Sequence, residues 1–458
     1  MKKFKFIFMS VVAMLWLALA GSCSSDEPVI MGEEQSPVVD EPAVEEPVVE
    51  PEDSVVVDDI DSDLIKVPYV GPFHEFATQS LINSLEKNRD FSWELFKLAV
   101  RSVDEKYQGK SANMAFSPYS ANMVMAMAAN YLDRNTSSQL VSKLGFNTLE
   151  DLNEGMALVT AYLMNGKHTS MDFKSNNSLW WRDEYCDYLD NDIVNTLRRN
   201  YYIHTCGVDF NQDQTIDLIN DWVKTNTNNK IPNFLNYLTD YEKLYKSHIN
   251  VNTLYLNGEW MWKFQKNKVA TFKGTDSNSL INMMNNTHDY GGYVDEDYTY
   301  ISIPFIFGAS MRIIMPKTQS IEEFSRTVSY AQLNEFKQRS YKKHYRMNLT
   351  MPKFKIDGVV ELSPELLNET GIHFAQAKNM LYGDLLANKP NESNILQKTS
   401  VIINEEGAEC AAATSHSGAS YCPLDREYIE ITIDRPFIFY IQEEFSGAIM
   451  MAGRICNL

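Results

Sequence analysis

The side chains best suited to covalent or metal chemistry are six cysteines and eight histidines, and their spacing matches no common catalytic or metal-binding motif. A nucleophile needs a general base within hydrogen-bond reach, and the chain has no Gly-x-Ser-x-Gly elbow, His-Glu-x-x-His pair or phosphate-binding loop. Cys422 with a distant histidine, as in a cysteine hydrolase, is the best enzyme that these residues allow. No histidine stands at metal-ligand spacing from another histidine or a cysteine. We therefore expect no enzymatic activity, no metal site and no cofactor.

A run of very small residues near the end of the chain has a different potential. Ala408 to Thr414 follows Asn404-Glu405-Glu406-Gly407 and carries no aromatic side chain. Because side chains alternate along a strand, Ala408, Cys410, Ala412 and Thr414 would share one small, uncharged face. Gly407 offers the backbone freedom that a hinge needs. The segment therefore suits a strand that enters an existing sheet, and a flexible Ala-rich surface loop is the alternative.

Local signals place the elements around this segment. Ser117-Pro118 is typical of a helix N-terminus, and the Ala/Met-rich stretch to Leu132 predicts a buried helix. Asp217 to Thr225 predicts a short amphipathic helix. Tyr428 to Ile433 alternates as a half-buried strand does, and Pro436 precedes an apolar strand over 437–441. Helices followed by strands indicate an α+β fold.

Several motifs, in one order along about 370 residues, resemble those of the serpin family. The hinge pattern is Glu-Glu-Gly, a small residue, Glu, and then several Ala and Thr. The other fragments are Phe116-Ser117-Pro118-Tyr119-Ser120, Lys143-Leu144-Gly145-Phe146, Leu218-Ile219-Asn220-Asp221-Trp222-Val223 with Lys230-Ile231, Asn252-Thr253-Leu254-Tyr255-Leu256-Asn257-Gly258-Glu259-Trp260, Met315-Pro316-Lys317, Met351-Pro352-Lys353-Phe354, Arg435-Pro436-Phe437-Ile438-Phe439 and Gly453-Arg454-Ile455.

The resemblance implies a serpin fold of three β-sheets, about eight to nine helices and an exposed reactive-centre loop over about 405–427. It implies suicide inhibition of a serine peptidase, in which the cleaved loop inserts into the central sheet and the partner stays bound as an acyl-enzyme. The implied hinge comprises Glu405, Glu406, Gly407, Ala408, Glu409, Cys410, Ala411, Ala412, Ala413 and Thr414. Counting from Gly407 places the reactive bond between Tyr421 and Cys422, with Leu424 as the alternate and Arg426 as the third choice. Tyrosine there suits a chymotrypsin- or elastase-like serine peptidase, and cysteine peptidases are further possible targets.

The resemblance also implies residues that support the opening of the sheet. Ser117, Ser120 and Asn252 correspond to a polar group at the middle of the sheet, and Trp260 to an aromatic side chain where the loop enters. Gln397 stands where the family often has a histidine, so a pH-sensitive opening at that position is in doubt. All these residues could instead be ordinary core polar groups.

Two other functions stay open. One is a serpin fold without inhibition, acting as a carrier, chaperone or binding module, and His416 on the small inward face keeps it open. The other is glycan binding through exposed Trp180, Trp181, Trp260 and Trp262. A disulfide between Cys410 and Cys422 would link the inserting strand to the far side of the reactive bond, so that oxidation would slow inhibition.

The N-terminal segments are predicted to be an export signal followed by a disordered tether. Residues 1–22 have the layout of a secretory signal, and Ala20-Gly21-Ser22-Cys23 resembles a lipobox, which implies lipidation of Cys23. Ordinary cleavage beside an incidental cysteine is the alternative. Residues 24–63 contain 15 Asp and Glu and no Lys or Arg, so 23–66 is expected to be a disordered tether before a serpin domain over 67–458.

This layout predicts a monomeric outer-membrane lipoprotein of a Gram-negative bacterium, exposed at the cell surface. The partners expected are the target peptidase and, through the lipid anchor, the membrane. The chain has a formal charge of −20 and no basic stripe with interleaved aromatic residues, so nucleic-acid binding is not expected.

Overall fold

The computed structural model describes residues 67–108, 111–165, 171–188, 190–306, 308–342, 344–371, 395–408 and 426–458. Within these ranges it has eleven α-helices, two or three more than expected: α1 Phe73–Phe76, α2 Gln79–Lys106, α3 Pro118–Ala128, α4 Arg134–Lys143, α5 Leu149–Asn165, α6 Asn191–Tyr201, α7 Gln214–Asn226, α8 Asp240–Tyr245, α9 Ile321–Thr327, α10 Tyr330–Lys342 and α11 Pro364–Asn368. None of the helices in these ranges is long and apolar enough to cross a membrane.

The same ranges contain fifteen strands: β1 Met114–Phe116, β2 Met171–Arg182, β3 Ile203–Val208, β4 His248–Glu259, β5 Gln265–Lys273, β6 Asn278–Val294, β7 Tyr298–Pro304, β8 Ala309–Pro316, β9 His344–Pro352, β10 Phe354–Leu362, β11 Ile395–Ile403, β12 Gly407–Ala408, β13 Tyr428–Thr432, β14 Phe437–Glu443 and β15 Ile449–Ile455.

The strands form two hydrogen-bonded networks. One sheet has the order β10-β11-β12-β4-β2-β3, and the other has β1-β15-β14-β8-β7-β6-β9-β13 with β5 paired to β6. Three sheets were expected from the resemblance. The long strand β6 pairs with β5 and β9 along most of its length and with β7 at its end, so it joins two of the layers into one network.

The predicted elements are present with shifted ends. The Ser117 hydroxyl accepts the Ser120 N–H at 3.1 Å and so caps α3, which ends at Ala128 rather than Leu132. The helix expected over 217–225 is α7, longer by three residues at its start and one at its end. Strand β13 ends one residue early, and β14 runs two residues beyond the predicted apolar strand with every residue buried.

The six-stranded sheet separates two apolar clusters, and β2 shows how. Neighbouring side chains point to opposite faces of a strand, so Trp181 joins the main core while Trp180 packs in a smaller cluster with Ile219 and Val223 of α7. Helix α3 lies on the main-core side of this sheet. The sheet is therefore covered on both faces near its middle.

Candidate strand-insertion site

The candidate site begins where β11 ends and the chain turns back into the sheet. After Ile403 the chain reverses, and Gly407 and Ala408 form β12 between β11 and β4. Ala408 lies opposite Ile403 on one side and Gly258 on the other, antiparallel to both strands. Ala408 is buried in the main core, so the side chain that starts the small face points inward. Gly407 has an extended conformation here and lacks the positive φ found at four other glycines.

Backbone carbonyls of the turn are held by two aromatic residues. The Trp260 indole N–H donates to the Asn404 carbonyl, and its backbone N–H donates to the Glu406 carbonyl, both at 2.9 Å. The Phe264 N–H donates to the Glu405 carbonyl at 2.9 Å. Trp260 is fully buried and stacks on Phe305 with ring centroids 4.4 Å apart. The hinge is therefore anchored by hydrogen bonds from outside its own sequence.

The Asn404 side chain closes the turn from within. Its Oδ1 accepts the N–H of Glu406 at 2.9 Å and of Gly407 at 3.2 Å. Its backbone N–H donates to the Gly407 carbonyl at 3.0 Å. An asparagine that bonds the backbone two residues on is a recurrent turn-forming device. Asn404 thus fixes the direction in which the chain enters the sheet.

Two ion pairs fasten the acidic residues of the hinge. Glu405 pairs with Lys353 at 3.1 Å, and Glu406 pairs with Lys263 at 2.6 Å. Burial opposes ionisation of Glu405, but hydrogen bonds from its own backbone and from Lys353 outweigh it and lower its pKa. The hydrogen bond to Glu406 raises the pKa of Lys263. Both pairs hold the start of the loop in its present place at neutral pH.

A groove continues from β12 between β4 and β11. Its cavity volume is about 80 Å³, its walls are residues 250–256 and 395–402, and its floor includes Ala121, Val124 and Met451. Within the described ranges, β4 pairs with β2 and β12, β11 pairs with β10 and β12, and neither pairs with the other. Two strand edges thus face one another across the groove.

The polar residues expected to support the opening of the sheet lie on both sides of this groove. Ser117 and Gln397 form one unit: the Gln397 amide bonds both the N–H and the carbonyl of Ser117. Ser117 also caps the N–H of Ser120. Asn252 belongs to the opposite wall, where it donates to Ser175 at 3.0 Å and Asn177 at 2.8 Å. The structure therefore brings Ser117 and Ser120 together with Gln397, and it separates Asn252 from them.

Sequence reasoning missed several residues of the site. Asn404, Lys353 and Lys263 hold the hinge. Lys353 belongs to the motif Met351-Pro352-Lys353-Phe354, but that motif alone predicted no contact with the hinge. Asn250, on the wall of the groove, gave no signal because its neighbours in space come from distant parts of the chain.

Much of the predicted loop lies outside the described residues. This applies to Glu409 to Thr414, His416, Tyr421, Cys422 and Leu424, and to Cys23 with residues 1–66. The Cys410–Cys422 bridge is outside them for the same reason. Of the described cysteines, Cys206 and Cys456 are buried and Cys186 is half-buried, and burial raises the pKa of Cys456 to about 12.

The competing site hypotheses find little support. Among the described residues, no group of three His, Cys, Asp or Glu side chains is placed to hold a metal ion. Trp180, Trp181 and Trp260 are at most 1% exposed, and Trp262 stacks on His288 with ring centroids 3.8 Å apart. Glycan binding through exposed tryptophans is therefore wrong for the three buried rings.

Comparisons with known proteins agree with this geometry. The family model "Serpin (serine protease inhibitor)" matches residues 86–458. Human leukocyte elastase inhibitor is 28% identical over 364 residues, which cover 76% of this chain and 93% of that protein. A serpin-like protein of Methanosarcina acetivorans is 25% identical over 383 residues, covering 80% of this chain and 86% of that one. The native structure of tengpin, a thermophilic serpin, matches with a TM-score of 0.66 at 22% identity, covering 86% of this chain and 99% of the other. The expected α+β fold is confirmed.

Proposed function

The chain belongs to the serpin family, and on that premise we propose that it inhibits a peptidase by suicide-substrate trapping. The observation that carries the proposal is the groove between β4 and β11, which begins where Gly407 and Ala408 enter the sheet. Strand addition and the release of stored strain by serpin loops are general examples of recognition and switching. Here the described start of the hinge, Glu405 to Ala408, leads directly to the groove.

The proposed reaction starts at the bond between Tyr421 and Cys422. The nucleophile of the target attacks the Tyr421 carbonyl carbon, the peptide bond breaks, and the Cys422 nitrogen leaves with a proton as a free amine. The inhibitor is then joined to the peptidase as an ester or thioester of Tyr421. Insertion of the freed strand carries the acyl-enzyme away from the geometry that water needs to hydrolyse it. The chain itself performs no catalysis.

The inner face of the entering strand matches the groove by size. If the pairing of Ala408 with Gly258 and Ile403 continued on insertion, Cys410 would lie between Leu256 and Val401, and Ala412 between Leu254 and Thr399. We expect small uncharged side chains to fit best at these positions, since the groove floor is made of packed core residues. The sequence supplies Cys and Ala there.

The native state must be held kinetically, because the same chain has a more stable inserted arrangement available. The hinge contacts of Trp260, Asn404 and Lys353 are suited to that role, since each holds the turn from which insertion would proceed.

A gel assay tests the inhibitor proposal. The purified domain is mixed with chymotrypsin-like and elastase-like serine peptidases and run under denaturing conditions. We expect a complex that survives denaturation. Mass spectrometry should identify a released C-terminal fragment that begins at Cys422. Cleavage without a complex, for every peptidase class tried, would instead favour a binding or carrier role for the fold. Tyr421→Arg is expected to transfer reactivity toward trypsin-like enzymes, which prefer a basic residue.

We also propose that the domain is displayed on the outer membrane through lipidated Cys23. The support is the lipobox-like Ala20-Gly21-Ser22-Cys23 and the acidic segment that follows it. Membrane fractionation of the wild type and Cys23→Ala tests the anchor, with release of the variant as the expected result. Proteolytic shaving of intact cells tests the surface orientation, and an uncut protein would place it on the periplasmic side.

A further inference from the structure

Arg426 lies at the C-terminal base of the loop, and its guanidinium is turned back onto the body of the protein. Its Nη1 pairs with Asp289 Oδ2 at 2.8 Å, and its side chain is 19% exposed. Asp289 belongs to β6, and only 7% of its side chain is exposed. Its other oxygen, Oδ1, lies 3.6 Å from Nη1 of Arg346 in β9. A buried carboxylate thus holds the arginine just before the chain enters β13.

The backbone that follows Arg426 is fastened to the same strand. The Glu427 carbonyl accepts the Arg346 N–H at 3.0 Å. From Tyr428 to Thr432 the chain pairs with β9 in a parallel register. The residues on the C-terminal side of the Arg426–Glu427 bond are therefore tied to a sheet, while the arginine side chain on its N-terminal side is tied to Asp289.

Arg426 is also isolated in the sequence from other basic residues. Between Lys398 and Arg435 the chain has no other Lys or Arg. Lys398 lies inside strand β11, and Arg435 lies beyond β13. A trypsin-like peptidase cuts after a basic residue, so Arg426 is the one position in the loop that such an enzyme could use.

We propose that Asp289 withholds Arg426 from trypsin-like peptidases and so limits the class of enzyme that the loop can engage. A peptidase of this class takes the guanidinium of its substrate into a pocket that contains a carboxylate. Asp289 offers the same guanidinium a carboxylate that is already in place and buried, so the protein and the enzyme compete for one group. Asp289 is a positioning residue, since it acts only through Arg426. The inference rests on the proposed function, because it treats the loop as the substrate of a peptidase.

The size of the protection follows from the contact that must break. When opening is fast relative to cleavage, the cleavage rate follows the population of the open form. Asp289→Asn keeps the size of the side chain and removes its charge. A hydrogen bond between charged groups shifts such an equilibrium by about 10- to 100-fold, so cleavage after Arg426 should accelerate by about that factor. The hydrolysis consumes one water and leaves a carboxylate on Arg426 and an amine on Glu427.

Limited proteolysis with trypsin tests the proposal, with mass spectrometry of the fragment that begins at Glu427 as the readout. The wild type should resist cleavage at this bond, and Asp289→Asn should be cut there. Asp289→Glu restores the carboxylate and should restore most of the resistance, which a purely structural role of the side chain would not explain. Arg346→Gln is the matched control, because it removes the longer ion pair of the same carboxylate and should leave the bond uncut.

Two further samples separate the ion pair from other causes of resistance. A free peptide with the sequence of residues 419–433 has the same flanking residues without the fold, and trypsin should cut it after Arg426. Tyr421→Arg places a second arginine in the loop, and trypsin should attack it while the pair of Asp289 and Arg426 is intact. Neither sample depends on the stability of Asp289→Asn.

The outcomes keep this inference distinct from the inhibitor proposal. Equal rates of cleavage after Arg426 in the wild type and in Asp289→Asn would overturn the role of Asp289, and so would a free peptide that resists trypsin. Both results would leave the inhibitor proposal standing. Resistance of Tyr421→Arg would show that the loop as a whole is closed to trypsin, which also removes the role of Asp289. If the wild type forms no complex with any peptidase, but Asp289 still controls cleavage after Arg426, the inhibitor proposal fails and the protective role remains.

Discussion

A glutamate on the inward face of the loop should convert the inhibitor into a substrate. In Ala412→Glu the new carboxylate would enter the sheet between Leu254 and Thr399 and above a packed floor. Among the described residues, the charged ones that line the groove are Lys230 and Lys398, and Lys398 points to the other face of the sheet. The carboxylate therefore loses its water and gains no partner.

The magnitude follows from the cost of burying a charge. Desolvating an unpaired ion in a protein interior costs several kcal/mol. If about 3 kcal/mol of this desolvation cost is already present in the transition state for insertion, insertion slows by more than a hundredfold, since each 1.36 kcal/mol is a factor of ten in rate. Hydrolysis of the acyl-enzyme then precedes trapping. The expected result is a steep rise in the number of inhibitor molecules consumed per peptidase molecule inactivated.

The matched control is Ala413→Glu, one residue further along the loop. Its side chain would face the opposite side of the sheet, where the β11 register brings it next to Lys398. The assay titrates a fixed amount of peptidase with each variant and follows residual activity and the denaturation-resistant complex. Equal inhibition by Ala412→Glu and the wild type would refute the reasoning, and so would equal damage from Ala413→Glu.

Three further predictions concern the hinge and the stored strand. The loop-cut protein should melt well above the intact protein, as scanning calorimetry of both forms would show, and equal melting temperatures would contradict a stored strand. Glu405→Lys sets two like charges together where Glu405 and Lys353 now pair at 3.1 Å, and it should lower the melting temperature of the intact protein by a few degrees. The Glu405→Lys/Lys353→Glu double variant should recover the melting temperature. Because the Glu405 pKa is lowered, this pair stabilises the fold above the ordinary pKa of about 4.3, and the contribution should vanish as the pH falls through the folded value. Trp260→Phe leaves the Asn404 carbonyl without its indole donor and should cost about 1–3 kcal/mol in a denaturant unfolding experiment, while Trp262→Phe, at a half-buried ring, serves as the control.

The predictions that succeeded rest on contacts between residues close in sequence. The cap of α3 needs only Ser117 and Ser120, and the buried run of β14 follows from five consecutive apolar residues after Pro436. The inward orientation of Ala408 follows from alternation along a strand. Each is a property of a few neighbouring side chains and can be read locally.

The predictions that needed revision depend on distant contacts. The group expected at the middle of the sheet is divided, because Asn252 bonds to β2 while Ser117 bonds to Ser120 and to Gln397 of the opposite wall. Helix ends shifted by up to four residues where α3 met the turn at Ala129 to Leu132. Propensity does not specify such ends when tertiary packing competes with it.

Residue type and local order alone predict the hinge and the small face of the loop, and they identify the family, which the family model over residues 86–458 confirms. The groove and the pairing of Glu405 with Lys353 become visible only in the tertiary structure. Those features join segments 52 to about 150 positions apart, and their geometry is set by which strands pair and in which register. A shift of one residue in that register would turn every side chain to the other face, so no local pattern could have specified them.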